Sequence, residues 1–95
     1  MDALLIRANG EATFITPKNG KDFKLDELYK HIGCDCIEIV YPMSGENNII
    51  ILDEEGKLKN KRINVAATEL WFNDNTEPFD FIVGDVIFCR TEMVK

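Results

Sequence analysis

Four consecutive aliphatic residues, Ile49-Ile50-Ile51-Leu52, constrain this chain more than any other feature. Successive side chains of a strand point to opposite faces, so an uninterrupted apolar run must be buried on both. Val86-Ile87-Phe88-Cys89 makes the same demand. A sheet built around these two runs needs cover above and below. The chain has 95 residues, the length of one domain and too short for two independent cores, and its 45% hydrophobic content suits one core.

The rest of the pattern places partners around those runs. Leu4 to Ala8 and Glu11 to Thr16 read as two strands, with Asn9-Gly10 between them as a tight hairpin turn. Leu25, Leu28, Tyr29 and Ile32 form the stripe of a short amphipathic helix over Lys24 to Ile32. Asp26 and Glu27 begin that helix, Lys30 and His31 end it, and Gly33 stops it, in agreement with the helix dipole. Cys36 to Tyr41 alternates as a strand, with Ile37, Ile39 and Tyr41 on one face. Asn48 to Leu52 follows, then the turn Asp53-Glu54-Glu55-Gly56 and a basic connector from Lys57 to Arg62. Asn64 suits the N-cap of a second short helix, Val65 to Phe72. After a polar loop from Asn73 to Pro78, the apolar run Phe79 to Cys89 is interrupted by Gly84-Asp85, as a turn or a bulge.

The expected fold is therefore α+β, a single domain over residues 1–95 in the order ββαββαβ(β). A largely antiparallel sheet of five to six strands would carry two short helices on one face. Two short helices can cover only that face. The other is expected to pack against a curled part of the same sheet or against a second subunit, which makes a homodimer the expected state.

Charge narrows the function classes. Seventeen acidic against eleven basic residues give a net charge of -6. That balance disfavours nucleic acid and anionic membranes as partners and suits a cytoplasmic protein or one with a basic partner. The N-terminus lacks a signal-peptide pattern, and no apolar stretch reaches membrane-spanning length. Three cysteines are too few for a disulfide framework, so reduced thiols are expected.

No catalytic set emerges. His31 is the single histidine, and no nucleophile elbow, Walker loop or dinucleotide fingerprint occurs. His31, Cys34, Cys36 and Cys89 are the only potential zinc ligands, but they lack paired Cys-x-x-Cys spacing, and no metal or other cofactor is assigned. Candidate ligand-binding residues are Lys57, Lys59, Lys61 and Arg62 of the connector, with Asn64 and Thr68 one helical turn apart beside it. Trp71, Phe72 and Phe79 are candidate interface residues, flanking the polar loop.

Several stretches together resemble a family of small bacterial and phage proteins, the domain of unknown function 3846. They are Leu25 to Gly33, Ile37 to Pro42, Asp53 to Leu58, Asn64 with Ala67-Thr68, and Ile82 to Val86, in that order. The resemblance implies a short cytoplasmic protein of a bacterium, plasmid or phage and carries over no catalytic residue. Lys59-Asn60-Lys61-Arg62 and Cys34-Asp35-Cys36 depart from the family pattern. The resulting expectation is a non-enzymatic, acidic interaction protein, a homodimer with a possible host protein partner. The alternatives are a nucleotide- or phosphate-binding protein and an anti-defence inhibitor acting by protein–protein contact.

Overall fold

The computed structural model describes residues 3–45, 47–72 and 80–94. These form β1 (Ala3–Ile6), β2 (Ala12–Ile15), α1 (Leu25–Ile32), β3 (Ile37–Val40), β4 (Asn48–Asp53), α2 (Val65–Trp71) and β5 (Val86–Arg90), followed by a 3-10 turn at Thr91–Met93. The order ββαββαβ matches the expectation. The sheet runs β2-β1-β5-β4-β3, with every neighbouring pair antiparallel. The last strand is thus inserted between the first and the fourth. This insertion brings the two apolar runs side by side in the sheet, with Ile50 opposite Phe88 and Ile51 opposite Ile87.

Alternation divides the core in two. Leu5, Ile49, Ile51, Ile87 and Cys89 face α1 and pack with its Leu28 and Ile32, closed at the ends by Phe23 and Met93. Ile6, Ile50, Leu52 and Val86 face the other way and pack with Ala67 of α2 and with Ile82. The helices therefore lie on opposite faces, which corrects the expectation of both on one. The reason is the demand of the apolar runs themselves: each face of β4 and β5 needs a lid, and one short helix serves each. The sheet does not need another subunit to hide its second face.

Each helix is held by side chains that satisfy its loose backbone groups. In α1, the Glu27 carboxylate reaches back and accepts the N–H groups of Lys24 (2.8 Å) and Lys18 (2.9 Å). These backbone bonds hold its carboxyl below the usual carboxylate range. At the other end Gly33 adopts φ +77°, and its N–H donates to the Tyr29 carbonyl at 2.8 Å.

With only seven residues, α2 is too short to be stable alone. Asn64 anchors it. Its Oδ1 accepts the Ala67 N–H (3.0 Å), while its Nδ2 donates to the carbonyls of Ile6 (2.9 Å) and Gly84 (2.8 Å). One buried amide thus caps the helix and bonds it to β1 and to the segment before β5. Thr68, a turn further on, accepts the Ile82 N–H at 2.9 Å and donates to the Asn64 carbonyl at 2.8 Å. A bridge between Ile63 and Val83 completes the attachment. Residues 82 to 85 form that bridge and a bend at Gly84 (φ +79°), so Gly84-Asp85 is a turn into β5.

The first hairpin differs by one residue from its expected register. Ile6 pairs with Ala12 and Leu4 with Phe14, and the Arg7 N–H donates to the Glu11 carbonyl at 2.8 Å. The loop is therefore Ala8-Asn9-Gly10 rather than Asn9-Gly10 alone. A two-residue type I′ turn needs positive φ at both positions; here Gly10 alone has it (φ +98°), as in three-residue loops. The Asn9 side chain instead accepts the Glu11 N–H at 2.9 Å.

Replacing Asn64 by Ala removes the cap and strands two buried carbonyls, which should cost about 3 kcal/mol. Asn64→Asp keeps the cap but sets an oxygen against both carbonyls, so it should destabilise at least as much. Urea unfolding of the two variants measures this, and a well-tolerated Asn64→Asp would mean that the cap alone matters.

Candidate functional site

On the α2 face, a cleft of about 160 Å³ opens between the β3–β4 edge and the segment leading into β5. Glu38, Val40 and Leu52 form its floor, Trp71 and Phe81 line it, and Lys57 and Leu58 stand at its rim. Glu54 and Asp80 also border it. Leu58 is 82% exposed.

Close approach in the preceding turn shapes this wall. A Cβ on Gly56 would sit 2.8 Å from the Val83 side chain, so the turn Asp53 to Gly56 packs on the segment before β5 only because position 56 is glycine. Lys57, next along, ion-pairs with Asp80 and lies 4.9 Å from the Phe81 ring centroid. The Lys57 hydrogen bond holds the Asp80 carboxyl below its ordinary range. The cleft thus already contains one cation seated on an aromatic face beside a carboxylate.

The remaining basic residues of the connector lead elsewhere. Asp53 ends β4 on the α1 face with its side chain fully buried, and Lys59 (2.9 Å) and Lys61 (2.8 Å) both pair with its Oδ2. Its Oδ1 accepts the Glu55 N–H at 2.9 Å. Burial alone would raise this carboxyl, but the hydrogen bonds from Lys61, Lys59 and the Glu55 backbone outweigh it and hold the pKa low. Lys61 also donates to the Gly33 (3.0 Å) and Ile32 (3.3 Å) carbonyls, capping the C-terminus of α1. Arg62 is exposed and gives its carbonyl to the Gly84 N–H at 2.7 Å.

Of the residues singled out from sequence, Lys57 and Trp71 meet at the cleft. Lys59 and Lys61 point to the opposite face, so the connector does not form one basic patch. Asn64 and Thr68 fasten α2 rather than open toward a pocket. Phe72 is exposed just after α2, and Phe79 lies outside the described residues. Glu38, Asp80 and Leu58 are not singled out by the sequence, which reads Glu54 as part of a solvated turn. Glu38 carried a readable signal, as a charge in the middle of the apolar strand Ile37–Val40.

The thiols are not activated nucleophiles. Burial pushes Cys89 up to about 11, and desolvation also raises Cys34 and Cys36, with nearby carboxylates adding to it. His31 packs edge-on against Phe23, with ring centroids 6.3 Å apart. Among the described residues, the group that brings potential metal ligands within 4.8 Å is Asp35, Cys36 and Glu55, which includes neither His31 nor Cys89. No helix among the described residues is long and apolar enough to cross a membrane.

The family model described as Domain of unknown function (DUF3846) matches residues 1–93 of this chain. No curated protein and no solved structure matches it.

The buried Asp53 cluster should set the acid limb of stability. A carboxyl whose folded pKa lies below its unfolded value, near 3.8, contributes fully above that value and loses its contribution as pH falls through the folded one. Asp53→Asn should cost about 2 kcal/mol at pH 7, discounted for the partly exposed lysines, and flatten stability against pH below about 4. Thermal unfolding from pH 2 to pH 7 measures both effects.

Proposed function

Because the chain belongs to the DUF3846 family, whose description carries no activity, we propose from the geometry that it is a non-enzymatic interaction protein that seats a basic side chain of its partner in the cleft beside Trp71 and Phe81. The observation that carries this reading is the pairing of aromatic walls with two lining carboxylates, Glu38 and Glu54, that have no ion-pair partner among the described residues. A guanidinium or ammonium group fits such a lining, because ring faces and carboxylates both attract it. Lys57 over Phe81 is an intramolecular precedent. The net charge of -6 steers a basic partner toward the surface. The raised thiols and the packing of His31 argue against covalent or general-base chemistry. A phosphate-binding role draws less support, since Lys57, Lys59 and Lys61 are each committed to an internal carboxylate.

The test is a nuclear magnetic resonance titration with N-acetyl-arginine amide against its neutral isostere N-acetyl-citrulline amide. The arginine probe should shift the Trp71 indole and the Glu38 and Glu54 amides, and citrulline should not. Glu38→Gln with Glu54→Gln should weaken the arginine response about fivefold. Equal shifts from both probes, or none at the cleft, would reject the proposal.

A further inference from the structure

The opposite edge of the sheet carries a second, independent surface. β2 is an outermost strand, and its residues Ala12-Thr13-Phe14-Ile15 hold no charge and no proline. Natural edge strands are ordinarily guarded by Lys, Pro, a bulge or an inward charge. β3, the other outermost strand, has Glu38 within it. Within β2 the only guard is its shortness, four residues, and Phe14 on it is 73% exposed.

The ladder shows which groups of β2 face outward. Arg7 N–H bonds directly to the carbonyl of its opposite residue, Glu11. In an antiparallel pair, bonded and non-bonded pairs alternate, so Glu11, Thr13 and Ile15 turn their backbone groups to β1. Ala12 and Phe14 turn theirs outward. Phe14 also lies opposite Leu4, which packs with the core under α2, so its ring is on the α2 face.

We infer that β2 pairs antiparallel with β2 of a second copy of this chain, about a two-fold axis through Phe14. That register sets Phe14 against Phe14 as a hydrogen-bonded pair and Thr13 against Ile15, with no like charges opposed. Continued beyond the strand ends, the register sets Glu11 opposite Pro17 of the second copy, the residue before Lys18. A second copy suits this edge because the strand itself is neutral and is flanked by an acid before it, Glu11, and a base beyond it, Lys18. The two sheets join into one of ten strands with both α2 helices on the same side. The two Phe14 rings meet between the helices, and the Leu4 side chains flank them. The cleft lies at the β3 end of each sheet, so self-association leaves it open and places two copies of it at opposite ends of the dimer. The dimer proposed here forms through a sheet edge, since α2 already covers the face from which self-association was first expected.

Sedimentation equilibrium across a hundredfold concentration range should show the mass rising from 10.9 kDa toward twice that value. Phe14→Lys sets two ammonium groups on the axis and should return the protein to monomer with its circular dichroism unchanged. In a Cys34→Ser/Cys36→Ser background, Phe14→Cys should form an intermolecular disulfide on oxidation, because bonded antiparallel pairs have Cα atoms about 5.5 Å apart, within disulfide reach. Thr13→Cys in the same background should cross-link poorly. A wild-type protein that stays monomeric, a dimer that survives Phe14→Lys, or equal cross-linking at positions 13 and 14 would overturn the inference. None of these results bears on the arginine titration of the cleft.

Discussion

The second face of this sheet depends on one buried side-chain amide. Asn64 uses its oxygen to cap α2 and both of its N–H groups to bond that helix to β1 and to the turn into β5. Without it, a seven-residue helix has little reason to form, and Ile50, Leu52 and Val86 lose their cover. A polar group at 1% exposure is costly unless its polar atoms find partners, and here both Oδ1 and Nδ2 do. The same network fixes the place of Ile82 and Val83, and these with Trp71 and Phe81 make the cleft. Packing and candidate site therefore share a single anchor.

Charge is organised in the same economical manner. The chain is acidic overall, yet its one concentrated basic segment is largely neutralised from within. Asp53 draws Lys59 and Lys61 to the α1 face, where Lys61 also serves the end of that helix. Asp80 draws Lys57 to the α2 face. A run that looks like an anion-binding stripe in one dimension straddles the sheet in three. The carboxylates at the cleft, Glu38 and Glu54, have no ion-pair partner among the described residues, and the proposed cation site rests on them.

Much of this fold was legible in the sequence because the strongest signals were local. The period of Leu25 to Ile32, the left-handed Gly33 and the capping Asn64 each specify their own segment, and the structure places the elements in the expected order. The two-sided apolar runs correctly demanded two covers. Where the covers come from was not local: it depends on β5 entering between β1 and β4, a long-range pairing that no periodicity encodes. The hairpin register slipped by one because Asn9-Gly10 suits a two-residue turn and also the end of a three-residue loop that takes in Ala8. Of these loop residues only Gly10 has positive φ. At the site, Lys57 and Trp71 were visible as residue types, whereas their acidic neighbours became visible only when the turn at Gly56 brought them together.

Helix α2 is an integral lid of the sheet, bonded in by Asn64 and Thr68, and not a peripheral turn. Native-state hydrogen exchange tests it at two amides, Ala67, which donates to Asn64 Oδ1, and Ile82, which donates to Thr68 Oγ1. Both should open only with global unfolding, at the same free energy as Ile51 in β4. Exchange of Ala67 and Ile82 through a local opening, while Ile51 stays protected, would contradict the account.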